Sequence, residues 1–154
     1  AKAKTTVSYK SSNTKVATVD NTGKVTINGV GTAKITITAA AKNNYKAATK
    51  TVTIKVAKAA PTIKVKTTSA NVRYANLRSR AQVFSLGASV NSKGKLTYKK
   101  VAGSSAISVA SNGRVTVKKG MKKGTYKAVI RVYAGAKGNY NSGYKTVTVT
   151  VRVR

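Results

Sequence analysis

The feature that most constrains this chain is a strict two-residue alternation. "KTVTVTVRVR" (145–154) puts Val147, Val149, Val151 and Val153 on one face and Thr148, Thr150, Arg152 and Arg154 on the other. "GTAKITITA" (31–39) does the same with Ala33, Ile35, Ile37 and Ala39 against Lys34, Thr36 and Thr38. "KTVTIKV" (50–56) sets Val52, Ile54 and Val56 against Thr51, Thr53 and Lys55. An extended backbone turns successive side chains to opposite sides, so this pattern reads as half-buried strands rich in β-branched residues. No segment sustains a 3.6-residue period, which predicts negligible helix. Short strands separated by Gly and Asn turns predict an all-β chain folded as antiparallel β-sandwich.

The chain also repeats itself. "VSYK" (7–10) returns as "LTYK" (96–99), and "VDNTGKVTI" (19–27) as "VASNGRVTV" (109–117). "GTAKITITA" (31–39) returns as "GTYKAVIRVYA" (124–134), and "KNNYKAATKTVTIKV" (42–56) as "KGNYNSGYKTVTVTV" (137–151). A period this long means tandem domains rather than a solenoid. The sole Pro, in "AKAAP" (57–61), blocks strand continuation and marks a linker. The boundaries expected are a partial repeat at 1–58 and a complete one at 59–154. The second copy is preceded by "PTIKVKTTSANVRYANLRSRAQVFSLGASVNSKGK" (61–95), which holds further strands, whereas only "AKAKT" precedes the first. The first sandwich therefore reads as truncated at its N-terminus. Either a cut inside the domain or strand exchange with another chain accounts for that.

Composition narrows the chemistry. Without Cys or His the chain has no disulfide framework, no thiolate metal site and no imidazole base. The sum of Asp and Glu is 1, so no carboxylate pair exists for glycoside hydrolysis and no carboxylate cage for calcium. Ser and Lys are abundant, but no nucleophile-elbow pattern places a Ser for attack. Neither an enzyme nor a cofactor is expected. At 41% hydrophobic residues the chain is not a disordered basic tail. It has no apolar run near 18 residues and no signal-peptide pattern at "AKAKTTVSYK", which predicts a soluble chain.

The lone acid, Asp20 in "VDNTGKV" (19–25), reads as turn chemistry between two Val-containing strands, with Gly23 at positive φ. The rival roles, cation ligand or isopeptide participant, are disfavoured because a second acid is missing and the matching position is Ala110. Of the Tyr residues, Tyr9, Tyr98, Tyr45 and Tyr140 recur at matching positions and read as structural anchors. Tyr133 falls on the outward face near Arg131 and is the best exposed candidate for base stacking.

Charge is the remaining signal. With 31 Lys and Arg the formal net charge is +30, more than solubility requires. Such a surface condenses polyanions: sulfated glycans, nucleic acid without sequence specificity, or anionic cell-wall and lipid surfaces. The densest clusters are Lys118, Lys119, Lys122 and Lys123, Lys99 with Lys100, and Arg73, Arg78 and Arg80. Arg131 joins them on the outward face of its strand. Every Arg lies from residue 73 onward, and Arg forks onto phosphate and sulfate, so the tighter polyanion-binding site is expected in the second domain.

"YKSSNTKVATVDNTGKVTINGVGTAKITITA" (9–39) resembles the bacterial immunoglobulin-like domain, group 2, through Ser11, Ser12, Asn13, Val16, Ala17, Thr18, Val19, Gly23, Val25, Gly31, Thr32 and Ala33. The second copy matches more loosely, with "KKVAGSSAISVASNGRV" (99–115) in place of the Ser-Ser-Asn segment. "NNYKAATKTVTIKV" (43–56) resembles versions in surface proteins of Gram-positive bacteria. The resemblance implies tandem immunoglobulin-like sandwiches, secreted or displayed at the cell surface as stalk, spacer or adhesin, and no activity. The function expected is adhesion through polyanion binding. The alternatives are a structural spacer, a module recognising a host surface protein, and a supercharged cell-penetrating scaffold.

Overall fold

The computed structural model describes residues 5–154; residues 1–4 of "AKAKT" lie outside the described residues. The chain divides into two compact units, Ala1–Lys58 and Ala59–Arg154.

The first unit holds β1 (Val7–Ser11), β2 (Ala17–Val19), β3 (Val25–Ile27), β4 (Gly31–Ala39) and β5 (Ala48–Val56). They form a three-stranded sheet in the order β1-β4-β5 and a two-stranded sheet β2-β3, with antiparallel pairing throughout. The alternation holds in β4, where Ala33 and Ile35 are buried and Lys34 is exposed. It fails to produce burial in β5 and β3: Val52 is 41% exposed and Ile27 is 52% exposed. The reason is coverage. A three-residue strand spans only about 10 Å, so the β2-β3 layer shelters a small core of Val16, Ala17 and Ala33 with Ile54 and Val56 against it. Among the described residues, β3 and β5 are both edge strands.

The second unit holds β6 (Ile63–Val65), β7 (Ser69–Val72), α1 (Tyr74–Ser79), β8 (Gln82–Ser85), β9 (Ala88–Val90), β10 (Leu96–Gly103), β11 (Ile107–Val109), β12 (Arg114–Val117), β13 (Gly124–Ala134) and β14 (Gly143–Val153). Its main sheet runs β10-β13-β14-β7 and is faced by β11-β12-β8 and by the pair β6-β9. Here the alternation is realised in full. Ala128, Ile130, Val149 and Val151 point inward with no exposed surface and meet Val115, Val117, Ile107, Leu77 and Leu86. Each of the Val, Ile and Leu side chains among them stabilises the fold by about 1.5–3 kcal/mol on transfer from water. Val132 and Ala134, further along β13, pack instead on Ile63 beneath the β6-β9 pair.

One expectation is corrected. The pairing is not wholly antiparallel: β7 joins β14 in parallel, with Ser69 opposite Thr150 and Val72 opposite Val153. Alternation reports which face is buried, not strand direction, so the sequence pattern is silent on this point. Helix is as scarce as the pattern implied: among the described residues it is confined to α1, six residues long. α1 is too short to display a period; it is held by Leu77, fully buried in the core, and tertiary packing rather than propensity stabilises such a turn. No helix of the described residues is long and apolar enough to cross a membrane.

The repeated segments adopt repeated local structure. Gly23 and Gly113 both sit at φ +86°, and a Cβ added at either would come within 2.9 Å and 2.7 Å of the rings of Tyr9 and Tyr98. Glycine is required at both turns because a tyrosine ring packs flat against the backbone there. The Tyr98 hydroxyl also accepts the Ala88 N–H (3.3 Å). Lys42 and Tyr45 exchange backbone hydrogen bonds across a tight turn, and Lys137 and Tyr140 do the same. Tyr140 is half-buried, as an anchor should be, but Tyr45 is 55% exposed.

Candidate functional site

Asp20 belongs to a turn. Its Oδ1 accepts the Thr22 N–H (2.9 Å), the Thr22 hydroxyl (2.6 Å) and the Lys24 N–H (2.9 Å). The Thr22 hydroxyl, followed by the Lys24 amide, holds the carboxyl below its ordinary pKa, because both donors favour the charged form. Ala110 keeps the equivalent backbone bonds, to Arg114 and Gly113, while the Asn112 side chain accepts the Arg114 N–H (3.1 Å). The second turn thus replaces the carboxylate with an amide two residues later.

The candidate binding cations fall into two groups, both in the second unit. The first is built around α1. Arg73 precedes the helix in extended conformation, Arg78 lies in its last turn, and Arg80 caps its C-terminus. The four lysines lie on the loop 118–123 between β12 and β13, all exposed. Three bonds pin that loop: the Lys118 N–H donates to the Ala106 carbonyl (3.0 Å), the Gly120 N–H to the Leu77 carbonyl (2.7 Å), and the Tyr126 hydroxyl to the Lys122 carbonyl (3.0 Å). Met121 anchors it further by packing against the core. The Gly120–Leu77 bond carries the lysine loop against the helix that bears Arg78. Two clusters about forty residues apart in sequence therefore share one end of the unit.

That end holds more cations than the dense sequence runs suggest. Arg152 lies opposite Asn71 in the β14-β7 pair. The Arg154 carbonyl accepts the Tyr74 N–H (2.6 Å), and its N–H donates to Val72 (3.0 Å), which sets Arg154 beside Arg73. The signal for both was present as outward positions of "TVTVTVRVR", but isolated alternating charges do not stand out as a cluster.

The second group sits on the outer face of the main sheet. Lys99 on β10 lies directly opposite Arg131 on β13. Lys100 does not accompany it. It lies opposite Ile130, is half-buried, and donates its ammonium to the Ser104 carbonyl, just where the ladder shifts register between Lys100 and Ala102. Arg131 places its guanidinium carbon 4.5 Å from the centroid of the Tyr144 ring. Its Nη1 donates to the Tyr133 hydroxyl at 3.5 Å, a contact that raises the Arg131 pKa above the ordinary arginine value. The exposed ring is Tyr144, at 61%, rather than Tyr133, which is half-buried; the two lie opposite each other across β13 and β14.

Comparison with known proteins places a family match on the first unit only: residues 3–41 match the family described as "Intimin, immunoglobulin-like domain". That is a bacterial immunoglobulin-like family, and the match spans the whole of the segment 9–39 that carries the group 2 resemblance. No curated protein matches the chain. Among solved structures, Drosophila N-cadherin EC1-4 is similar at 14% identity over 99% of this chain and 42% of that one (TM-score 0.48). Human protocadherin-24 EC1-2 is similar at 16% identity over 98% and 83% (TM-score 0.49). The S-layer protein SbsC, domains 4 and 5, is similar at 23% identity over 96% and 70% (TM-score 0.37). The chain spans under half the length of the first of these, and all three scores lie below 0.5, so these likenesses assign it neither partner nor activity.

Proposed function

We propose that the chain is a non-catalytic immunoglobulin-like module, secreted or displayed at a cell surface, that adheres to polyanions through the cationic end of its second unit. One observation carries this reading: α1 and the 118–123 loop bring Arg73, Arg78, Arg80, Lys118, Lys119, Lys122 and Lys123 to one end of a unit whose sequence contains no Asp or Glu. Clustered like charges destabilise the unliganded surface, and an anionic polymer relieves that repulsion while releasing counterions. The immunoglobulin-like match on residues 3–41 supports a display role. The two local motifs that recur in both units, the tyrosine on glycine and the tight turn before the last strand, support tandem repeats of one domain type. The test is a glycan and nucleic-acid binding array at two salt concentrations, with elution from heparin. Elution below about 0.3 M salt counts against the reading, because ordinary basic proteins bind that weakly.

A second reading, protein recognition by strand addition, is favoured by the first unit. There β5 and β3 are edge strands carrying exposed Val52, Val25 and Ile27. An edge of this kind accepts a strand from another chain. Full amide protection along residues 31–56 in a monomer would exclude it.

A further inference from the structure

The outer face of the β10-β13-β14-β7 sheet carries an arrangement that packing alone does not explain. Lys99 and Arg131 are direct cross-strand neighbours, and like charges so placed repel. Among the described residues no acid compensates them. The Arg131 Nε is covered yet has no hydrogen-bond acceptor, and the guanidinium's one hydrogen bond, to Tyr133, is at the long limit of such contacts. Tyr144 beside it keeps more of its surface in water than any other exposed large apolar or aromatic residue in the described chain. The Tyr133 and Tyr144 rings lie 5.9 Å apart at 51° and border a depression of about 660 Å³ whose polar rim is Lys95, Thr97 and Ser142.

We propose that this corner binds a sugar ring of an acidic polysaccharide, with Tyr144 against the ring face and Arg131 with Lys99 on its carboxylate or sulfate. The proposal rests on the polyanion reading above and names the class of polymer. A tyrosine ring is flat and amphipathic, and suits a ligand with one apolar face and a polar edge. A guanidinium already backed by an aromatic ring offers its fork to a planar oxyanion. Hydroxyls that both donate and accept match a hydroxyl-covered ligand, and the same face continues with Thr146, Thr148 and Thr150 along β14. Lys127, four residues before Arg131 and so about 13 Å along β13, lies opposite Thr150 and supplies the next positive charge. Single-stranded nucleic acid fits less well. It needs successive stacking platforms, whereas one Tyr144 face carries Arg131, Tyr133 is tilted away from parallel, and the rows beyond hold Thr and cations.

The experiment titrates the whole chain by calorimetry with a uronic-acid hexasaccharide, inorganic polyphosphate of matched charge and oligo-dT, comparing wild type with Tyr144→Ala, Arg131→Gln and a quadruple Lys→Gln variant of the 118–123 loop. Tyr144 is exposed, so Tyr144→Ala keeps the fold, which circular dichroism checks. The expected result is an approximately tenfold loss of hexasaccharide affinity in Tyr144→Ala and in Arg131→Gln, with polyphosphate affinity changed by less than about twofold. The loop variant loses affinity for both. If wild type binds polyphosphate but Tyr144→Ala leaves the hexasaccharide unaffected, or weakens both ligands alike, this inference falls and the polyanion reading stands. If wild type binds none of the three, both fall. Preferential oligo-dT binding lost in Tyr144→Ala would assign the corner to nucleic acid and overturn the proposal.

Discussion

Replacing Lys118, Lys119, Lys122 and Lys123 together by Gln separates a localised polyanion site from diffuse charge. The four side chains are exposed, and the bonds that pin their loop are made by backbone groups and by the Tyr126 hydroxyl. The substitution therefore removes charge without removing structure. On duplex DNA, used as a reference polyanion, each neutralised phosphate contributes about −0.9 to the slope of log K against log salt. If binding at the α1 end runs through Arg73, Arg78, Arg80 and the four lysines, the slope is about −6, and the variant retains about −3. If instead all 31 Lys and Arg share binding evenly, removing four lowers the slope by only about an eighth. A control variant, Lys10, Lys24, Lys46 and Lys50 to Gln in the first unit, loses the same charge from exposed positions. Fluorescence anisotropy with labelled duplex between about 50 and 300 mM salt measures all three slopes. A loop variant whose slope matches the control's would refute the idea of a localised end, whatever the absolute affinities.

Other consequences test the architecture. Leu77→Ala empties a site with no exposed surface and should destabilise the second unit by about 2–5 kcal/mol in a denaturant melt; it should also free the 118–123 loop to proteolysis, since Gly120 is bonded to the Leu77 carbonyl. Gly113→Ala forces a Cβ to within 2.7 Å of the Tyr98 ring at φ +86°, so a loss of about 1–3 kcal/mol is expected, and a smaller one when the same change is made in a Tyr98→Ala background. Asp20 has a folded pKa below its unfolded value, so its contribution is present above the unfolded value near about 4 and is lost as pH falls through the folded one. Carboxyl NMR of this single side-chain acid should show the lowered titration, and Asp20→Asn should flatten that part of the acid melting profile.

Much of the strand content was legible because alternation is a local property. "GTYKAVIRVYA" and "GYKTVTVTVRV" became the two longest strands, with Ile130, Val132, Val149 and Val151 fully buried as their positions implied. "VDNTGKV" announced its turn for the same reason: the bonds Asp20 makes reach no further than Lys24. The candidate site was legible only in pieces. Its lysine and arginine runs were visible, but nothing in "KKGMKK" says that Gly120 reaches Leu77, nor in "YKK" that Lys100 turns to Ser104 while its neighbour faces solvent.

By itself, then, the sequence determined the strands, the tight turns that demand glycine, the absence of His and Cys, and the excess of positive charge. These depend on residue types and on spacings of a few positions. Tertiary structure alone decided that β7 pairs with β14 in parallel, that six residues around Leu77 coil into a helix, and that the β2-β3 layer leaves Val52 and Ile27 uncovered. It also decided which cations are neighbours, and that Tyr144 rather than Tyr133 stands open beside Arg131. Those outcomes depend on contacts between distant segments, whose geometry no local period encodes.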